Sequence, residues 1–273
     1  MKNFKSIKLL SNPDKDGGLR KRNIIKRSYK NKPLITVITA TLNSEKYLQE
    51  AINSLQKQKY RNFEHIIVDG GSTDNTLNII KKNEDKIDYW LSKKDRGIYD
   101  AFNIGMQLSN GKYLGFLNSD DTYTENCFDL LLKYINSNKI FDFIFGSVEK
   151  HWAILHGFKP YKIYYSWGFY TSHSTGFFIK RQSAKKIGFY DLKYKYSSDY
   201  DYFYRMIVKE KLKGIGTQKS EIFGVFRRGG FSSKIKFLDH FFEEINIRLN
   251  NKQNKFLILF IFIYKFLKNI SKL

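Results

Sequence analysis

Cysteine is nearly absent from this chain: Cys127 is the only one in 273 residues. An internal disulfide is excluded, and no CxxC metal pair exists. The five histidines fall in no HExxH or comparable spacing, which argues against a structural zinc site. Acidic residues are scarce, 26 Asp and Glu against 48 Lys and Arg, for a formal charge of +22. A membrane-spanning run is also missing. The apolar stretch FLILFIFIY at 256–264 falls short of the ~20 residues that a transmembrane helix needs. The first apolar pair, Leu9-Leu10, is too short for a secretory h-region, so the expected location is cytosolic.

What is abundant is aromatic. The chain has 24 Phe and 19 Tyr within a 42% apolar composition, enough to build a real core and to exclude a mainly disordered chain. The length fits one large domain, or one domain with an appendage. The positive charge gathers at the ends. Residues 1–32 hold eleven Lys or Arg against two Asp and read as an irregular basic arm. After Glu244 there is no acid, while Arg248, Lys252, Lys255, Lys265, Lys268 and Lys272 flank the apolar run. This tail over 236–273 suits either a helix lying in an anionic membrane surface or a terminal helix buried on the domain. Basic ends also suit nucleic acid, but no recognised nucleic-acid-binding motif is present.

Hydrophobic patterning gives an alternation of strands and helices. LITVITAT (34–41) reads as a strand buried on both faces. An amphipathic helix follows, with Tyr47, Leu48, Ala51, Ile52 and Leu55 on one face. FEHIIV (63–68), DYWLS (88–92) and KYLGFL (112–117) are further strands. Helices marked by Leu77, Ile79 and Ile80, and by Ala101, Ile104, Gly105 and Leu108, lie between them. The alternation predicts an α/β domain with a mainly parallel sheet. Beyond residue 140 the pattern turns to short aromatic strands with one clear helix near 200–211.

Polar motifs fall at the carboxyl ends of these strands, where open α/β sheets bind ligands. The first strand ends in Thr39, Ala40, Thr41, Leu42 and Asn43. The second runs into DGGSTDNT, which places Asp69 exposed at a strand tip, with Gly70 and Gly71 allowing close approach of backbone and Ser72 or Thr73 able to cap the next helix. KDRGIYDAFNIG (94–105) sets Arg96 and Gly97 before a helix that carries Asp100 and Asn103 near its start, a place suited to phosphate. The fourth strand stops at Asn118, Ser119, Asp120 and Asp121. Adjacent carboxylates repel, so in a chain this basic they are either ordinary turn residues or the seat of a divalent cation.

Together, TVITATLNSEKYLQEAINSLQKQKYRNFEHIIVDGGSTDNT and DRGIYDAFNIGMQLSNGKYLGFLNSDD resemble the family 2 inverting glycosyltransferases of GT-A fold, and most of all the bacterial enzymes of capsule, colanic-acid-like and lipopolysaccharide O-chain assembly. The resemblance covers roughly residues 33–235. It implies a Rossmann-like central sheet with helices on both faces, a nucleotide-sugar half over 33–121, a mixed acceptor half over 122–235 and a helical tail. The donor side it implies comprises Thr39, Ala40, Thr41, Asn43, Glu45, Asp69, Gly71, Ser72, Arg96, Gly97, Asp100, Asn103, Asn118 and Ser119. NSDD corresponds to the DxD-type motif, with Asp120, helped by Asp121, as ligand of Mg²⁺ or Mn²⁺. Asn118 stands where many members carry Asp. SHSTGFFIKR (172–181) matches an acceptor-side segment starting at His173. GFYDLKYKYSSDYDYFYRM (188–206) puts Asp199 at the catalytic-base position, with Ser198 where many members have Glu. FRRGGFSS (226–233) resembles a lid over the diphosphate, with Arg227, Arg228 and Gly230.

The resemblance implies a sugar moved from a nucleotide-diphosphate sugar, a UDP-sugar being the favoured donor, to a hydroxyl of a glycan or polyprenyl-linked acceptor. Inversion follows from one displacement with Asp199 as general base. The enzyme is then expected on the inner face of the plasma membrane, with no nucleic-acid partner. From the residues alone, Asp199 also reads as a cap on a helix whose buried face is Phe203, Met206 and Ile207. Two rival classes are a same-fold nucleotidyltransferase, for which the Gly-rich signature near the first strand is missing, and a basic nucleic-acid-binding protein.

Overall fold

The computed structural model describes residues 14–151, 153–165, 174–227 and 236–269. Its strands are β1 (Lys15–Gly17), β2 (Ile35–Thr41), β3 (Phe63–Asp69), β4 (Tyr89–Ser92), β5 (Tyr113–Phe116), β6 (Thr122–Tyr123), β7 (Phe143–Phe145), β8 (Ser147–Lys150), β9 (Ala153–Leu155), β10 (Phe177–Lys180), β11 (Gly214–Gly216) and β12 (Ile222–Phe226). Its helices are α1 (Leu48–Gln56), α2 (Thr76–Lys82), α3 (Ile98–Leu108), α4 (Cys127–Ile135), α5 (Arg181–Ile187), α6 (Ser198–Tyr204), α7 (Phe237–Asn250) and α8 (Lys255–Lys268).

An eight-stranded sheet runs in the order β1-β4-β3-β2-β5-β10-β7-β11, and a small second sheet in the order β6-β12-β8-β9. Strands β4, β3, β2 and β5 are mutually parallel; β1 and β10 run antiparallel to their neighbours. The large sheet therefore crosses from the first half of the chain into the second. Helices cover both faces, and the alternation within β2 shows how. Ile35 and Val37 join a core with α1 and α4, while Ile38 and Ala40 join one with α3 and α6. A strand with apolar partners on both sides has no reason to alternate with polar residues, hence the run ITVIT. The predicted face of α1 is buried at Leu48, Ala51, Ile52 and Leu55. Helix α3 lies so close to β2 that a Cβ on Gly105 would come within 2.2 Å of Ile38 Cγ2. Under the second half, Phe116, Phe143, Phe145, Phe177 and Phe203 pack ring against ring.

The basic arm is not irregular throughout its described part; over 15–22 it forms regular structure. β1 pairs antiparallel with β4, a short 3-10 turn follows at Leu19–Arg22, and the arm then crosses the sheet border. The cause lies in two buried acids, Glu64 within β3 and Asp88 just ahead of β4. Glu64 is 1% exposed and accepts from Thr36 Oγ1 (2.5 Å), Asn110 N (2.6 Å) and Arg20 Nη2 (2.5 Å). Asp88, equally buried, accepts from Lys26 Nζ (3.0 Å) and His65 N (2.8 Å). Buried carboxylates need cations, and the arm supplies them.

The tail is a helical hairpin. Asn254 opens α8 by accepting from Phe256 N and Leu257 N. Glu244 on α7 holds Arg248 (2.7 Å) and Lys265 of α8, all three buried. Its carboxyl stays below the usual range, despite burial, because both cations favour the charged form; Lys265 is pushed down to about 8 because its desolvation outweighs the attraction of Glu244. One face of α8 packs on α7 through Ile258, Phe262 and Phe266, and the other is open. Of the two expectations for this segment, the buried helix describes its inner face, and its outer face is exposed.

Candidate active site

In-register pairing of Thr41 with Asp69 and of Asp69 with Ser92 aligns the carboxyl ends of β2, β3 and β4. The loops that leave these ends are bound to one another. Asn43, at a φ of 48°, donates its N–H to Ser72 Oγ (2.8 Å) and accepts from Thr73 N (2.9 Å). Glu45 accepts from Asn75 N (2.9 Å), and Ser44 Oγ meets Ser119 Oγ (2.8 Å) at the end of β5. Thr41 Oγ1 is buried without a hydrogen-bond partner among the described residues. Thr39 lies deeper, its hydroxyl against His65 Nε2 (2.9 Å), beside Ala40. Burial pushes the His65 ring down to about 3, so it is neutral at any ordinary pH.

Asp69 is not exposed, contrary to the reading of the sequence. It has no accessible surface, and its carboxylate accepts from Ser92 Oγ (2.6 Å), Ser72 N (3.1 Å) and Ser72 Oγ (2.5 Å). It shapes the turn in which Gly71 takes a φ of 87°. The acid nearer the surface is Asp95, which the sequence reading did not single out. It caps Gly97 N (2.8 Å), and burial, with Asp100 and Asp69 nearby, raises it to about 6. The signal was available in the DRG triplet ahead of a helix. Arg96 folds back on Asp100 (3.0 Å), which is buried. Asn103 also turns inward: its amide exchanges hydrogen bonds with the backbone N and O of Tyr190 (2.8 and 2.9 Å), which ties α3 to the segment ahead of α6.

The neighbouring acids after β5 have opposite surroundings. Asp121 is buried and accepts from Thr175 Oγ1 (2.7 Å), Asn118 Nδ2 (3.1 Å) and Arg227 N (3.0 Å); burial, then Asp120, raises it to about 7. Asp120 is half-buried and raised by desolvation, yet its carboxylate bonds no other residue among those described. Asn118 Oδ1 is buried and also without a partner among them. Arg227 crosses this tip. Its Nε donates to Asp120 O (3.1 Å), its guanidinium lies 4.3 Å over the Tyr47 ring, and it pairs with Glu50 on α1. His173, Arg228 and Gly230 lie outside the described residues.

Asp199 sits in the first turn of α6, above the buried Phe203 and Met206. Its Oδ1 accepts from Tyr200 N (2.8 Å) and from Tyr99 Oη (3.2 Å) at the start of α3. Its Oδ2 has no hydrogen-bond partner among the described residues. Burial raises its carboxyl, against the opposing influence of the Tyr200 N–H, His240 and Tyr99. Tyr99 also stacks on Tyr190. These contacts join Asp199, the 95–100 loop, the Asp69 turn and the Asp120 tip into one continuous rim.

A divalent cation fits the tip on the chemistry of its donors. Hard cations are often held by one or two carboxylates plus phosphate oxygens, and Asp120 offers an open carboxylate already desolvated, next to an orphaned amide oxygen. A cage built by protein alone is absent among the described residues.

Comparison with known proteins gives the fold a precedent. S. aureus TarS shares it with a TM-score of 0.64 at 18% identity, over 85% of this chain and 43% of that one. Its residues 1–349 in complex with UDP-GlcNAc give 0.62, also at 18% identity, over 87% and 72%. The mannosyltransferase PcManGT from Pyrobaculum calidifontis, in complex with GDP-Man and Mn²⁺, gives 0.61 at 15% identity, over 84% and 66%. The architecture is accordingly GT-A. In sequence, the chain is 31% identical over 186 residues to an uncharacterized glycosyltransferase of Rickettsia prowazekii, covering 63% of this chain and 58% of that protein. It is 30% identical over 219 residues to one from Methanocaldococcus jannaschii, covering 75% of each. The chain thus spans little more than half the length of the Rickettsia relative. Residues 36–191 match the Glycosyl transferase family 2 profile, more than half of the chain, and the protein belongs to that family.

Proposed function

We propose that this chain is a metal-dependent inverting glycosyltransferase of hexosyltransferase type. It would take a sugar from a nucleotide-diphosphate donor, a UDP-sugar first, to a hydroxyl of a glycan or polyprenyl-linked acceptor in bacterial surface polysaccharide synthesis. It would work as a peripheral protein at the cytoplasmic face of the plasma membrane. Solved relatives of the fold bound to UDP, UDP-GlcNAc and GDP-Man support a nucleotide-sugar donor.

The observation that carries this reading is the state of Asp199. One oxygen is anchored by two donors, the other is open, and the carboxyl is raised toward neutrality. That is what a general base needs: fixed aim, a free lone pair, and a pKa nearer the working pH. Asp199 takes the proton of the acceptor hydroxyl. The hydroxyl oxygen bonds to the anomeric carbon while that carbon's bond to the diphosphate breaks on the opposite face, and the nucleoside diphosphate leaves. Asp120, with Asp121 bracing the turn behind it, would hold Mg²⁺ or Mn²⁺, which when bound offsets the charge gathering on the diphosphate. Thr41, Asn43, Asp95, Arg96 and Gly97 would line the donor side. Arg227, held over Tyr47 beside Asp120, would assist at the phosphates; Arg228 and Gly230, and His173 on the acceptor side, are proposed from the sequence resemblance alone.

The test is a panel of nucleotide sugars, reading released UDP, GDP or dTDP, with Asp199→Asn alongside. Release that Asp199→Asn slows by ~10²–10⁴ with donor affinity kept supports the base. Donor affinity and rate falling together would reduce Asp199 to a cap. Pyrophosphate release from a nucleoside triphosphate, without sugar transfer, would replace the reading with a nucleotidyltransferase.

A further inference from the structure

Helix α8 has two unlike faces. Ile258, Ile261 and Lys265 are buried, with Ile258 and Lys265 against α7. On the other side Phe256, Leu259, Phe260, Ile263, Tyr264 and Leu267 are exposed, Phe256 at 85% and Phe260 at 65%. Their spacing of three and one repeats over three turns, so they form one stripe about 16 Å long. A contiguous exposed stripe of large apolar side chains is uncommon on a soluble surface and marks something that covers it. From this stripe we infer that the outer face of α8 is a seat for an anionic lipid surface, with the helix lying in the plane of the headgroups.

Charge decides among the occupants. The exposed ionisable residues of α8 and its lead-in turn are Lys252, Lys255 and Lys268, without an acid. The one acid against the helix, Glu244, is buried between Arg248 and Lys265. A second copy of this face would bring lysines against lysines, whereas acidic headgroups complement them. Lys268 Nζ lies 5.7 Å from the Tyr264 ring centroid, its stem along the end of the stripe, as a lysine does when it reaches from an apolar layer toward phosphates. Crossing the bilayer is not the alternative: among the described residues no helix is long and apolar enough.

The face is also fixed relative to the candidate site. Helix α7, to which Glu244 ties α8, accepts from Lys195 N (2.5 Å) and Tyr196 N (2.7 Å) through Glu243. Asn251, just beyond it, donates to Asp201 (2.8 Å). The segment that carries Asp199 is thus bolted to the hairpin that carries the stripe, so a docked protein would hold its acceptor side at a set height over the lipid. This consequence rests on the proposed glycosyltransferase reading; the docking itself does not.

The experiment is flotation of the full chain with vesicles of phosphatidylglycerol and phosphatidylcholine in equal parts, compared with phosphatidylcholine alone. We expect flotation with the anionic vesicles, weakened by high salt. The double substitution Phe260→Asp with Ile263→Asp should weaken it about ten-fold or more, since charge at an interface-buried position opposes insertion. Ile140→Asp, at a position 80% exposed elsewhere, should leave it unchanged. Asp199→Asn should float like wild type, which separates docking from catalysis. Thermal melting checks that each variant is folded; if the double variant melts early, Phe256→Ala with Leu267→Ala is read in the same way. Wild type that does not float overturns the inference, as does a folded double variant that floats like wild type. A wild-type dimer that the double variant splits, with no vesicle uptake, would assign the stripe to a second copy instead.

Discussion

Replacing Tyr99 by Phe removes one oxygen and nothing else of consequence. The ring keeps its stack on Tyr190, at 5.5 Å between centroids, so the fold should hold. What is lost is the donor to Asp199 Oδ1 at 3.2 Å. A hydrogen bond to a charged group contributes about 1.5–3 kcal/mol. This one is long, and the hydroxyl shares its proton with Tyr196 O at 3.1 Å, so the lower end applies. About 1.4 kcal/mol of lost preference for the carboxylate corresponds to one pKa unit. Burial already raises Asp199 while the Tyr200 N–H, His240 and Tyr99 oppose it, so removing Tyr99 moves it further up. The acid limb of the kcat/KM profile should therefore shift upward by about one pH unit, with KM for the donor unchanged within about two-fold. The assay is nucleoside diphosphate release across pH 4–9. An unmoved limb in a variant of normal melting temperature refutes the reasoning; a raised donor KM with an unmoved limb would place Tyr99 against the donor.

Asp199→Asn should raise the melting temperature at neutral pH while slowing turnover by ~10²–10⁴. Its folded carboxyl lies above the unfolded value, so the charged form costs stability that appears as pH rises through that window; the gain should vanish below pH ~4, where both states are protonated. Asp120→Ala should leave melting nearly unchanged but remove turnover and the sensitivity of nucleotide binding to EDTA; full activity in the variant would sink the metal role. Arg20→Ala should cost about 3 kcal/mol in denaturant unfolding, because it strands Glu64 at 1% exposure. Adding Glu64→Gln should recover part of that loss, and no recovery would mean that the arm is held by other contacts.

The parallel strands of the first half were legible because burial on both faces writes itself as unbroken apolar runs, as in ITVIT; the strand order, with β1 at one border and β10, β7 and β11 at the other, was not. Strand ends were legible too, since Asn, Ser and Asp stop such runs. The fate of each polar side chain was not. Asp69 ends a strand and Asn103 lies in the second turn of a helix, places that suit a ligand, but Asp69 is consumed by Ser72 and the distant Ser92, and Asn103 by the distant Tyr190. The arm was misread for a related reason. Its lysines and arginines look solvated until Glu64, inside an apolar strand, and Asp88, just ahead of one, are seen to require them. An acid within a strand of that kind is the signal to search for its cation. Tyr99 escaped notice because its partner lies 100 residues away, beyond any local pattern.

The arm has a last consequence, for the behaviour of the chain among its own copies. A parallel sheet ends in a row of unpaired backbone groups, and an open row invites strands from other molecules. Here β4 would be that row, and β1 occupies it with three residues running antiparallel. At the opposite border β11 is also three residues long, and the backbone of Gly157 and Phe158 crowds it so closely that a Cβ on Gly216 would stand 2.8 Å away. Both margins are thus brief and covered. Starting the chain at residue 33 instead would uncover β4 and invite copies of the chain to pair along it and aggregate during expression, with Asp120 and Asp199 untouched.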